Sequence, residues 1–153
     1  MIHVRRMTED DIPSCARIMA ETPLWQRYGV TFSRAAERFR RTLAGGGTVF
    51  VADEAGEVVG FVMCVERGAW ARSGYIPLIG VAPTHKGKGI GLALLQRAES
   101  FLSHSSSDVF LLVSDFNTPA QRFYERHGYT RVGALPDYIL PGVTEYIYWK
   151  RLK

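Results

Sequence analysis

Residues 81–95, Val-Ala-Pro-Thr-His-Lys-Gly-Lys-Gly-Ile-Gly-Leu-Ala-Leu-Leu, decide how this chain is read. An apolar run at 76–81 leads into Pro83 and then into three glycines at alternate positions, Gly87, Gly89 and Gly91. Behind them Ile90, Leu94, Leu95, Ala98, Phe101 and Leu102 recur at helical spacing on one face. The order is therefore strand, glycine-rich turn, helix. Glycines let a backbone approach a ligand closely and take a positive φ where one is needed. A helix N-terminus adds unpaired N–H groups and about half a positive charge. With Lys86 and Lys88 alongside, the pattern predicts a phosphate cradle over Lys86, Gly87, Lys88, Gly89, Ile90, Gly91 and Leu92. A basic turn that merely caps a core helix would leave the same local trace.

The spacing excludes two common phosphate loops. No G-x-x-x-x-G-K-[ST] occurs, and Leu92 stands where the dinucleotide pattern G-x-G-x-x-G needs its third glycine. A second constellation lies 26 residues beyond Gly91: Asn117-x-x-Ala120-x-x-Phe123-Tyr124-Glu125-x-x-Gly128-Tyr129. The interval leaves room for one helix and one strand. Together the two stretches resemble the paired signatures of the GNAT superfamily of acyl-coenzyme A N-acyltransferases. The loop matches Q/R-x-x-G-x-G/A, with Lys86 in place of the usual first Arg or Gln, and the later stretch matches N-x-x-A-x-x-[FLY]-Y-x-x-x-G-F/Y.

The resemblance implies an α/β (α+β) fold, with a mixed, mostly antiparallel central sheet of six to seven strands flanked by about four helices. It implies transfer of an acyl group, acetyl by default, from coenzyme A to an amine. The backbone of residues 86–92 would hold the coenzyme's pyrophosphate, and the N–H groups of Ile79, Gly80 and Val81 its pantetheine. Tyr124 would give a proton to the departing thiolate, and Asn117 would bond the pantetheine, cap its helix, or both. Homodimers are common in that family, and the sequence leaves the assembly open.

The base stays open as well. Many relatives place a Glu on the strand before the glycine loop, yet 75–81 holds no carboxylate, and neither does 109–113. Glu145, Asp115 and Glu21 remain, as does a base acting through water. This gap keeps a second reading alive, an acyl-coenzyme A sensor without turnover. Nucleic-acid binding ranks third: net charge is +4, but no run of five basic residues occurs.

At 153 residues the chain reads as one domain, 1–153, with room for a core. A hydrophobic share of 46% with 22% charged residues is that of a globular protein, and no apolar run approaches the roughly 20 residues of a membrane span. The first residues lack the apolar core of a secretory signal, so a cytoplasmic protein is expected. Cys15 and Cys64 fall in apolar patterns and read as core residues, and His3, His85, His104 and His127 show no ligand spacing, so no metal is expected.

Elsewhere the pattern predicts a short strand at 2–5, and a helix capped at Thr8 that tolerates Pro13 early and runs to Thr22. A loop follows at 23–29, whose Trp25 and Tyr28 suit either a core edge or an acceptor pocket. A helix capped by Ser33 comes next, with Ala36, Phe39 and Leu43 inward and Arg34, Arg38, Arg40 and Arg41 on a solvated face. A hairpin at 48–53 and 58–66 carries Gly60 at a bulge or tight contact, and Pro77 calls for a bulge near 75–77. Strands at 109–113, 129–132 and 144–152 complete the pattern. The loops 22–32 and 134–142 are expected to shape the acceptor site, and Trp25, Tyr28, Asp137 and Tyr138 suit a cationic amine.

Overall fold

The computed structural model describes residues 1–153. Seven strands form one sheet in the order β1-β2-β3-β4-β5-β7-β6. They are β1 (Ile2–Arg6), β2 (Thr48–Glu54), β3 (Glu57–Ala69), β4 (Ser73–Val81), β5 (Asp108–Ser114), β6 (Thr130–Pro136) and β7 (Thr144–Arg151). Every neighbouring pair is antiparallel except β4 with β5. Five helices accompany the sheet: α1 (Ile12–Glu21), α2 (Pro23–Arg27), α3 (Phe32–Ala44), α4 (Ile90–Leu102) and α5 (Thr118–Arg126).

Strands β2 and β3 are apolar almost throughout because both faces of the sheet are covered. Phe50, Ala52, Val62 and Cys64 pack into a core with Ile90, Leu94, Leu95, Ala98 and Leu102 of α4. The alternate residues Val49, Val51, Phe61 and Met63 pack into a second core with Cys15, Ala16 and Met19 of α1 and Ala36 and Phe39 of α3. Strand alternation thus sends successive side chains to opposite layers.

The ladder between β4 and β5 is very short. It joins Gly74 to Val109 and Tyr75 to Phe110, and then the strands part. The cause lies in β4. From the pair Met63–Leu78 to the pair Val65–Tyr75, β3 advances two residues and β4 three, so β4 carries an extra residue at Ile76–Pro77. Proline has no N–H to give to a ladder, and a bulge bends its strand. The bulge expected from Pro77 is therefore present, and β4 swings away from β5 beyond it.

Several local expectations are corrected. The stretch 23–29 is not an open loop, because residues 23–27 close the short helix α2 with Pro23 in its first turn. The cap of α3 is Thr31, whose hydroxyl accepts from the Arg34 N–H, and not Ser33. A short 3₁₀ turn, Glu9–Asp11, precedes α1, and Pro13 sits in the first turn of α1 itself. Strand β3 runs to Ala69 and β6 to Pro136, both longer than the pattern predicts.

Gly60 marks both a bulge and a close approach. The register passes from Ala52–Gly60 to Asp53–Val58, which leaves one extra residue on β3. A Cβ at position 60 would stand 2.9 Å from the Gly80 carbonyl oxygen and 3.0 Å from Leu94 Cδ1. Gly60→Ala is expected to cost about 1–3 kcal/mol, as overpacking does, read as a lower urea midpoint with unchanged slope.

Candidate active site

The parting of β4 and β5 opens a cavity of about 370 Å³ between them. Its walls are mostly apolar: Ile76, Leu78 and Ile79 from β4, Leu111 and Val113 from β5, and Met19, Leu24 and Trp25 from α1 and α2. The glycine loop lies where β4 leads out of this gap. Gly87 and Gly89 both have positive φ, 79° and 80°, and Gly89 is the N-cap of α4. A Cβ at either would meet nothing within 4 Å, so the loop needs glycine for its backbone and presents an open surface.

The N–H groups of this loop are free. Residues 86–89 donate no backbone hydrogen bond within the protein, and the ladder of α4 begins with Ala93 N–H to the Gly89 carbonyl. The N–H groups of Ile90, Gly91 and Leu92 thus precede that ladder, as the first turn of any helix requires. Lys86 and Lys88 stand exposed beside them. Gly91 has no positive φ, and a Cβ there would meet Phe123 and Val81 at 3.7 and 3.8 Å, ordinary contact distances.

On β4 the three expected residues divide. Ala82 N–H donates to the Val59 carbonyl of β3. Alternation along the strand then turns the Gly80 N–H toward β3 as well, opposite Phe61, and turns those of Ile79 and Val81 toward the gap. Gly80 is needed for another reason: a Cβ there would lie 2.6 Å from Trp25 Cη2 and 2.9 Å from Phe61 Cζ.

Tyr124 sits at the floor of the cavity on α5, 6% exposed. Its ring meets those of Phe123 and Tyr129 edge-on and that of Tyr148 at a tilt, at 5.3, 5.5 and 6.5 Å between centroids. The two neighbouring phenols are engaged, Tyr129 donating to Glu99 and Tyr148 to Glu125, each at 2.7 Å. The Tyr124 hydroxyl makes no such bond, yet no polar side-chain atom is fully buried without a partner. Its oxygen therefore reaches open space, on the cavity side. Burial holds this phenol well above the usual tyrosine range, so it keeps its proton at any physiological pH. Asn117 lines the same cavity and caps α5, its side-chain oxygen accepting from Ala120 N–H at 3.3 Å.

The structure also sorts the three carboxylates. Glu21 is exposed at the end of α1. Asp115 is spent on Thr144 N–H at 3.1 Å, holding the start of β7. Glu145, on β7, is 3% exposed and lines the cavity. It accepts from the Tyr28 hydroxyl at 2.5 Å and from the Ser114 hydroxyl at 3.4 Å. Burial first, and this bond to Glu145 second, push the Tyr28 phenol up to about 12, so Tyr28 remains the donor. This cluster joins residues 117 and 31 positions apart, and no local pattern announces it.

Trp25 and Tyr28 are both core edge and cavity wall. Trp25 packs on Phe61 at 5.8 Å, and Tyr28 stacks on Phe116 at 6.3 Å, with the Arg27 guanidinium 3.7 Å from the same ring. Asp137 and Tyr138 lie outside the cavity. The Asp137 carboxylate accepts from Gly142 N–H at 2.6 Å, and Tyr138 is 60% exposed; from this loop Ile139 reaches the wall instead. No group of three or more His, Cys, Asp and Glu side chains is placed to hold a metal ion.

The sequence profile of the Acetyltransferase (GNAT) family matches residues 12–129, which span the gap, the glycine loop and Tyr124. The chain belongs to the GNAT family. Among curated relatives, a mycothiol acetyltransferase of Salinispora tropica is 36% identical over 98 residues, 61% of this chain and 32% of that protein. An N-alpha-acetyltransferase of Sulfurisphaera tokodaii is 31% identical over 111 residues, 64% of this chain and 65% of that one. The chain thus spans about a third of the first relative's length and just under two thirds of the second's. A solved structure assigned to the GNAT family, from Desulfovibrio desulfuricans, superposes with a TM-score of 0.84 over 100% of both chains at 23% identity, so the GNAT fold extends over the whole sequence.

Removing the Tyr28 hydroxyl leaves Glu145 buried with only the long Ser114 bond. Tyr28→Phe is expected to lower stability by about 1–3 kcal/mol, measured by urea unfolding. A change under a few tenths would mean that the bond is not made.

Proposed function

We propose that the protein is an acetyl-coenzyme A-dependent N-acetyltransferase acting on a primary amine. The observation that carries this reading is a single open gap, with free N–H groups at one end and an unpartnered, protonated phenol on its floor. The residues present suit the coenzyme: the N–H groups of residues 86–92, with Lys86 and Lys88, match a pyrophosphate. Ile79 and Val81 turn N–H groups toward where a pantetheine would run. Bound there, acetyl-coenzyme A supplies the acetyl thioester.

The chain's own residues then divide the proton traffic. The Glu145 carboxylate takes a proton from the attacking amine, directly or through one water, with Tyr28 and Ser114 fixing its orientation. The Tyr124 hydroxyl gives its proton to the sulfur as the C–S bond breaks and the amide C–N bond forms. The mostly apolar walls exclude water, which strengthens the N–H groups of Ile79 and Val81 toward the thioester oxygen. A buried, oriented base in the cavity favours turnover over the sensor reading. Family, fold and the lack of a helix able to cross a membrane suit a cytoplasmic enzyme of one domain, 1–153.

The test is thiol release from acetyl-coenzyme A with a panel of amines and amino-terminal peptides. Tyr124→Phe is expected to slow release about 10²–10⁴-fold, with little change in acetyl-coenzyme A affinity. Glu145→Gln is expected to cost about 10²-fold in kcat/KM for the amine. Only the neutral amine attacks, so wild-type kcat/KM rises with pH up to the acceptor's own pKa, near 8 for an α-amine and about 10.4 for a lysine-like amine. Tight binding without thiol release on any amine would restore the sensor reading.

A further inference from the structure

The cavity walls carry only two charged side chains, Glu145 deep on β7 and Arg38 from α3. Arg38 also lines a second groove, of about 460 Å³, that runs outward along α3 and shares Met19 and Val30 with the first. That groove holds Arg34, Glu37 and Arg41 as well. Glu37 is occupied by Arg40 and Arg41, each at 3.6 Å. Arg34 and Arg38, one helical turn apart on the same face, have no carboxylate within 4 Å. Arg38 is solvent-accessible at the mouth, yet the surrounding walls desolvate its guanidinium enough to lower its pKa. Its charge also acts on the phenol of Tyr75, another wall residue.

An arginine that is partly desolvated and unpaired at the mouth of a cavity is poised for an anion, because guanidinium forks bind carboxylate and phosphate oxygens in pairs. The same cavity carries the Glu145 carboxylate, and the charges of Arg38 and Glu145 both act on the Tyr75 phenol between its walls. We propose that the acceptor is a primary amine that also carries a carboxylate or phosphate group, with the amine at Glu145 and the anion on Arg38, backed by Arg34. This deepens the acetyl-transfer reading and rests on it. Arg34, Arg38, Arg40 and Arg41 are exposed, as the solvated face read from the sequence requires, and the proposal adds an anionic group to the amine that the cavity accepts.

The experiment compares matched acceptors by thiol release: amino acids against their amides, peptides with Glu against Gln at the second position, and 2-aminoethyl phosphate against ethanolamine. Rates are referred to the concentration of neutral amine. The anionic member of at least one pair is expected to lead by about tenfold in kcat/KM, and that lead is expected to collapse through KM in Arg38→Gln and to survive in part in Arg38→Lys. The acid and amide pairs read carboxylate and the phosphate pair reads phosphate, so the leading pair names the group. Acetyl-coenzyme A binding, followed by calorimetry, reports that each variant is folded. Equal rates within every pair, a lead for the neutral members, or a lead that Arg38→Gln leaves untouched would overturn the proposal. So would acetyl-coenzyme A binding with no release on any anionic amine. Absence of acetyl-coenzyme A binding by the wild type would instead overturn the acetyl-transfer reading beneath it.

Discussion

Two hydrogen-bonded pairs, Gly74 with Val109 and Tyr75 with Phe110, are all that join the halves of the sheet. A parallel pair this short is a weak seam, and what keeps it from zipping further is the extra residue and the missing N–H at Ile76–Pro77. The cost is borne elsewhere. Strand β4 is still tied to β3 as far as the Gly60–Val81 pair, and α4 packs beneath β2 and β3 with Leu94, Leu95 and Ala98 fully buried. The parted strands therefore form two walls, β4 paired with β3 and β5 paired with β7. Every group assigned to chemistry lies on one of them or closes the space between them.

The placement of those groups follows from the same separation. Strand β4 leads through a 3₁₀ turn, Pro83–His85, into the glycine loop, so a ligand held by the free N–H groups at 86–92 would point its far end back along β4 into the gap. The opposite wall brings the end of β5, the cap Asn117 and then Tyr124 on α5. Glu145 arrives on β7, which pairs with β5 in unbroken register from Asp108–Arg151 to Ser114–Glu145. The helix α2 closes the third side, pinned by Trp25 on Phe61 and by Tyr28 on Phe116, Ser114 and Glu145. A Cβ at Gly80 would strike Trp25, so the closeness of that wall depends on a single missing methyl group.

The parts of this arrangement that were legible in the sequence are those whose cause is local. The glycine loop, the Asn117 cap of α5, and the hairpin of β2 and β3 each leave a periodic or spaced trace within about twenty residues. Pro77 betrays a distortion in β4, although the sequence does not say that the distortion opens a cavity. The helix α2 was missed because five residues are too few to show a 3.6-residue period, and Thr31 and Ser33 both offer a hydroxyl near the start of α3. The cluster of Tyr28, Ser114 and Glu145 is assembled from three distant segments, so only the fold reveals it. The same holds for Asp137 and Tyr138, which resemble acceptor ligands by residue type: the Asp137 carboxylate accepts from Gly142 N–H instead, and Tyr138 is exposed beside Tyr75 without lining the cavity.

The central claim is that the free backbone N–H groups of one loop and one parted strand receive acetyl-coenzyme A. Amide hydrogen exchange, resolved residue by residue by NMR with and without coenzyme A, addresses it most directly. The account predicts that protection rises at residues 86–92 and at Ile79 and Val81, while Gly80, already bonded to β3, changes little. Protection confined to other surfaces, or a rise at Gly80 without one at Ile79 and Val81, would contradict it.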